Sequence, residues 1–358
     1  MKRKLIRIGM SLLLMAAGGL ITHYMPVLSR AASEIIHLES QAPEPPPKLY
    51  LSEGFGSETL PDPAGEGRGE DTAPRQERPH DPGPKPYPET WDLSGGSVER
   101  MSFGAFSGSQ YFSLEHCGQV RNETSVSNGR LYTESLNRPE FTIEANSAPQ
   151  VLIMHTHTTE CFEPYERDAF DSSFNYRTTD SDLNMCRVGD AITEQLEAAG
   201  IGVIHDTTIH DYPSYNGSYE RSRRTVTEQL KAHPSIKVVL DIHRDAIGGN
   251  GVIKQPTVHI DGKKSAQVMI ISGCDDGTMG MPDHMKNFRF AVLLQQQMEG
   301  DYPGLTRPIL FDYRKYNQDL TTGSLLIEVG THGNTLEQAV YAGELIGKSL
   351  ARALLSLR

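Results

Sequence analysis

The chain has 358 residues, room for one large or two small domains. Its 46 acidic against 34 basic side chains leave a formal net charge of −12, which argues against a nucleic-acid partner because phosphate binding needs basic patches. Cys117, Cys161, Cys186 and Cys274 show no CxxC spacing and form no dense disulfide framework.

The N-terminus reads MKRKLIR and continues into an apolar run from Ile8 to about Leu28. A membrane-spanning helix needs roughly 20 apolar residues. Lys2, Arg3, Lys4 and Arg7 should stay in the cytoplasm and send the rest of the chain outward. A secretory signal peptide has similar features, but Ser29-Arg30-Ala31-Ala32 is a poor cleavage site. Residues 1–32 are therefore read as a single-pass anchor, with the working part outside the cell membrane. Residues 33–96 are rich in Pro, Gly and acids, as in APEPPPK and HDPGPKPYPE, and read as a disordered tether. Residues 97–149 carry short β-like runs around a Ser-Asn-Gly turn and read as a small β-rich element packed on the main domain.

From Gln150 to the C-terminus strands alternate with helices. Strands are expected at Val151–Met154, Gly202–Ile204, Val238–His243, Gln267–Ile271 and Leu325–Gly330. Helices are expected over Leu183–Ala199, where Val188, Ile192 and Leu196 recur at helical spacing, and over Ser218–Ala232 and Asn287–Met298. A last helix starts at Asn334, with Glu337 as its capping-box partner. This alternation predicts one α/β domain over residues 150–358, built on a mainly parallel sheet flanked by helices.

Three of these strands deliver chemistry. The first runs into His155, His157 and Glu160, two imidazoles and a carboxylate of the kind zinc accepts. In an open α/β sheet, ligands bind at the C-terminal ends of the strands. The strand VVLDIH ends on His243, which shares a face with Asp241 and Val239. Asp241 reads as an orienting partner for a histidine or as a structural cap. Glu328 sits between Ile327 and Val329, where a lone carboxylate is costly unless it has a cation or a metal to face. Arg187 or Arg244 could pair with it. Arg244 would also suit a substrate carboxylate, with Tyr215 and Asn216 as further wall residues. His205 and His210 read as strand-end or loop histidines.

HTHTTE at 155–160, HDYPSYNGSYERSR from His210, VVLDIHRDA from Val238, YNQDL from Tyr316 and LLIEVGTHGNTLEQA from Leu325 resemble the stage II sporulation protein P family of cell-wall hydrolases. The resemblance covers the chain in order from about Gln150 onward. It implies a fold similar to the zinc amidases and an N-acetylmuramoyl-L-alanine amidase acting on peptidoglycan, with endopeptidase activity as well. It implies zinc held by His155 or His157, by His243 and by Glu160 or Asp180, with Glu328 as catalytic base. It further implies a role in sporulation engulfment alongside stage II proteins D and M. Two other readings compete: a non-catalytic peptidoglycan-binding scaffold, and a zinc carboxypeptidase.

Overall fold

The computed structural model describes residues 87–358 apart from 145. The anchor read at 1–32 and the tether as far as residue 86 lie outside the described residues. Among those described, no helix is long and apolar enough to cross a membrane.

An eight-stranded sheet forms the centre. Its strands are β2 (Tyr111–Ser113), β3 (Gln119–Asn122), β4 (Pro149–Met154), β6 (Gly202–His205), β7 (Val238–Asp245), β11 (Val268–Gly273), β12 (Ile309–Asp312) and β13 (Gly323–Thr331), in the spatial order β2-β3-β12-β11-β13-β7-β4-β6. The block β13-β7-β4-β6 is parallel throughout. β11 then runs antiparallel to β13 but parallel to β12, which is parallel to β3. The sheet is thus mixed, with two parallel blocks meeting head to tail at β11 and β13.

Period-two alternation divides the strand residues between two faces. Val151, Ile153, Val238, Leu240, Ile242, Leu325 and Ile327 join the large core. There they meet α2 (Cys186–Ala198), α4 (His284–Asp301) and α5 (Leu336–Leu355). Leu152, Met154 and Val239 point the other way and pack on Val226 of α3 (Ser218–Ala232). Truncating a core member such as Leu240, which is fully buried, should cost about 2–5 kcal/mol. Asp241 and His243 continue the parity of Val239. Glu328 is the ladder partner of His243, so the chemistry gathers on the α3 face.

Residues 97–149 do not form a separate element. β1 (Gly96–Met101) pairs in parallel with β9 (Val252–Ile260) in a second, smaller sheet with β5 (Ala169–Phe170), β8 (Gly248–Gly249) and β10 (Lys263–Ala266). β2 and β3 extend the main sheet, and α1 (Asn128–Ser135) follows them with Leu131 buried. The last stretch assigned to the tether is also ordered. Trp91 stacks edge-on against Phe174 with ring centroids 5.0 Å apart, and the Arg167 guanidinium lies 3.9 Å from the Trp91 ring centre. The final helix is capped one residue later than expected: Thr335 accepts from the Gln338 amide, and Gln338 closes the capping box in place of Glu337.

Candidate active site

The loop after β4 splits its two histidines between different tasks. His155 is fully buried, and its Nδ1 donates to the Ile242 carbonyl at 2.9 Å. Its Nε2 lies 2.9 Å from His205 Nε2, and His205 Nδ1 lies 3.0 Å from Asp190 Oδ1. Gly189 makes room for this pair, since a Cβ there would fall 2.3 Å from His205 Nε2 and 2.8 Å from His155 Nε2. Burial, reinforced by His205, lowers the His155 pKa to about 3. With both ring nitrogens engaged, His155 ties β4 to β7 and β6. It does not join His243, contrary to its inclusion among the expected metal ligands. Thr156 adds two more ties between these strands, from its amide and hydroxyl to the Asp241 carboxylate.

His157 turns toward β7. Its ring centroid lies 5.1 Å from that of His243, at 86°. Its Nε2 is 3.1 Å from the Tyr215 hydroxyl, and the two rings are stacked 4.6 Å apart. Its Nδ1 is buried without a hydrogen bond, 3.9 Å from Asp211 Oδ2. Burial, then the charge of His243, keeps this imidazole neutral by lowering its pKa well below the ordinary value. His243 Nε2 lies 2.7 Å from Asp241 Oδ1, while its Nδ1 looks toward Glu160 Oε2 at 3.9 Å. Burial opposes a charge on His243, but Asp241 outweighs it and raises the pKa to about 9. Glu160 is fixed by the Arg244 amide at 3.2 Å. Asp180, the other carboxylate considered, accepts the Asp182 amide ahead of α2.

Glu328 is the only half-open residue of β13, yet its Oε2 is buried without a partner. Burial, then repulsion from Asp245, holds its carboxyl well above the usual carboxylate range. Neither proposed arginine pairs with it. Arg307 binds Asp245 at 2.8 Å and sits close enough to Glu328 to temper this shift.

Arg244 turns inward. It is buried and donates to the carbonyls of Cys161 (2.8 Å) and Tyr176 (3.1 Å), clamping the loop that carries Glu160 instead of lining a groove. Tyr215 is half-buried beside His157, and Asn216 is exposed on the same loop. Tyr219 and Tyr316 join the site as well. Tyr219 lies edge-on to His157 at 5.6 Å and parallel to His243 at 6.5 Å, and Tyr316 stacks on it at 5.2 Å. Both come from the motif stretches, but nothing in their spacing marks them as neighbours of the histidines.

Among the described residues no three His, Cys, Asp or Glu side chains already stand close enough to hold a metal ion. The chemistry nonetheless fits His157, His243 and Glu160. Each imidazole has its Nε2 against a polar partner and its Nδ1 directed elsewhere, the arrangement that orients a metal-binding histidine.

The fold and site define an α/β protein with a buried histidine and carboxylate centre at the C-terminal ends of parallel strands. The chain belongs to the stage II sporulation protein P family, whose model matches residues 110–351. Stage II sporulation protein P of Bacillus subtilis (strain 168) is 32% identical over 199 residues, a match covering 52% of this chain and 47% of that protein. The chain thus spans about half the length of the curated relative it matches. Among solved structures, it is similar to the catalytic domain of CwlV, an N-acetylmuramoyl-L-alanine amidase from Bacillus (Paenibacillus) polymyxa var. colistinus. There the identity is 14%, the TM-score 0.36, and the coverage 58% of this chain and 99% of that one. The amidase AmiC2 of Nostoc punctiforme matches at 10% identity and TM-score 0.35, covering 59% and 98%.

Proposed function

We propose that the chain is a zinc-dependent peptidoglycan hydrolase that cleaves the amide between N-acetylmuramic acid and L-alanine, and peptide cross-links as a further activity. The observation that carries this reading is the meeting of His157, His243 and Glu160 beside Glu328, whose buried Oε2 has no partner. Zinc, when bound, supplies Lewis-acid chemistry that polarises a carbonyl and makes water acidic enough to react near pH 7. His157, His243 and Glu160 would hold it. Asp241 and Tyr215 keep the two rings in place. Glu328 takes a proton from the attacking water and hands it to the leaving nitrogen as the C–N bond breaks. Tyr215 and Asn216 are the wall residues on the open side.

By name, the relative points to sporulation. We assign the chain to septal wall remodelling during engulfment, with stage II proteins D and M as partners. The basic start and apolar run of residues 1–32 support a membrane-anchored, extracytoplasmic placement. The competing readings are a non-catalytic peptidoglycan-binding module and a zinc carboxypeptidase. Incubating zinc-loaded full-length protein with purified peptidoglycan separates the readings. An amidase releases peptides with L-alanine amino termini, a carboxypeptidase trims stem peptides, and a scaffold binds without releasing anything even after chelation.

A further inference from the structure

Three tyrosines line the open side of the site, and two have committed hydroxyls. Tyr215 faces His157 Nε2, and Tyr316 accepts from Arg314 at 2.5 Å. The Tyr219 hydroxyl makes no hydrogen bond among the described residues, although its ring is packed between His157, His243 and Tyr316. Tyr219 is half-buried, so its hydroxyl is left open to a bound substrate. The backbone beneath the ring is also held. Asn317 donates to the Tyr219 carbonyl at 3.0 Å and to Ser222 Oγ at 3.1 Å. To do so, Tyr316 and Asn317 adopt φ of 44° and 55°, a left-handed conformation that non-glycine residues rarely take.

We propose that the Tyr219 hydroxyl donates a hydrogen bond to the carbonyl oxygen of the scissile amide as negative charge builds on it. This rests on the hydrolase reading above. As the water oxygen bonds to the carbonyl carbon, the C=O π electrons move onto that oxygen, and Tyr219 stabilises it without releasing its own proton. The C–N bond then breaks, the carbonyl re-forms, and the leaving nitrogen takes its proton from Glu328. A donor aimed at developing charge gains strength between ground and transition state. Removing it should therefore lower turnover more than substrate binding.

The test is Tyr219→Phe in the full-length, zinc-loaded chain, since phenylalanine keeps the ring packing. We expect kcat on peptidoglycan to fall about 100-fold, with KM changed less than about threefold and zinc content unchanged. A second readout avoids turnover. In a Glu328→Gln background, calorimetry should find a phosphinate analogue of the muramoyl-alanine link bound about 100-fold more weakly by Tyr219→Phe, with unreacted amide substrate bound equally well. Unchanged kcat and phosphinate affinity, or equal losses of phosphinate and amide binding, would overturn the proposal by reducing Tyr219 to a packing residue. Wild-type protein that releases nothing from peptidoglycan would instead overturn the hydrolase reading, and this proposal with it.

Discussion

His155 and His157 stand two residues apart, but their rings serve different strands: His155 is held between Ile242 and His205, while His157 faces His243. The two substitutions should therefore separate cleanly. His157→Ala should lower zinc affinity by 100-fold or more, because a three-residue site loses one ligand. His155→Ala should keep zinc while costing about 1–3 kcal/mol of stability, since His205 and the Ile242 carbonyl lose their partner. Metal titration and denaturant unfolding of both variants check this, and the reverse pattern would reassign the ligand.

Arg244 offers a second test. Its guanidinium satisfies two buried backbone carbonyls, so Arg244→Gln should destabilise the protein by about 2–3 kcal/mol. A variant of normal stability with a raised KM would mean the arginine reaches substrate after all.

Acid should weaken the metal-free protein, and His332 provides a clear probe. Its ring lies edge-on to Tyr176 with Nδ1 buried and unpaired, and burial, then Arg244, lowers its pKa to about 3. An unfolded chain protonates this histidine near pH 6.5, whereas the folded one does not until about pH 3. The depressed value means that stability is complete above pH 6.5 and falls as pH drops toward 3. Relative to wild type, His332→Phe should therefore gain stability between pH 7 and pH 5, by up to about 2 kcal/mol less solvent screening. Chemical unfolding at the two pH values measures the difference. An equal effect at both would show that His332 binds its proton alike in the folded and unfolded chains.

Much of this architecture was legible in the sequence because burial leaves a periodic signal. Helix α3 spans the same residues the pattern predicted, and β7 and β13 extend the expected runs by a few residues. His243 and Glu328 stood out as polar residues at or within apolar strands. The reversal at β11 was hidden, since a fully buried strand reads the same in either direction. The pairing of β1 with β9 joins segments about 155 residues apart, and no local pattern encodes it. The inward contacts of His155 and Arg244 are hidden for a related reason. Whether a polar group faces a cavity or a backbone carbonyl depends on which distant loop folds over it, here residues 160–177 and the end of β6.

The central claim is that Glu328 moves the proton for a hydrolysis centred on His157, His243 and Glu160. The most direct measurement is the rate at which purified peptidoglycan releases soluble fragments with zinc-loaded wild type and with Glu328→Gln, which keeps the shape and loses the base. The account predicts a rate lower by about 100- to 10,000-fold, with zinc still bound. A Glu328→Gln protein that digests the wall as fast as the wild type would contradict it.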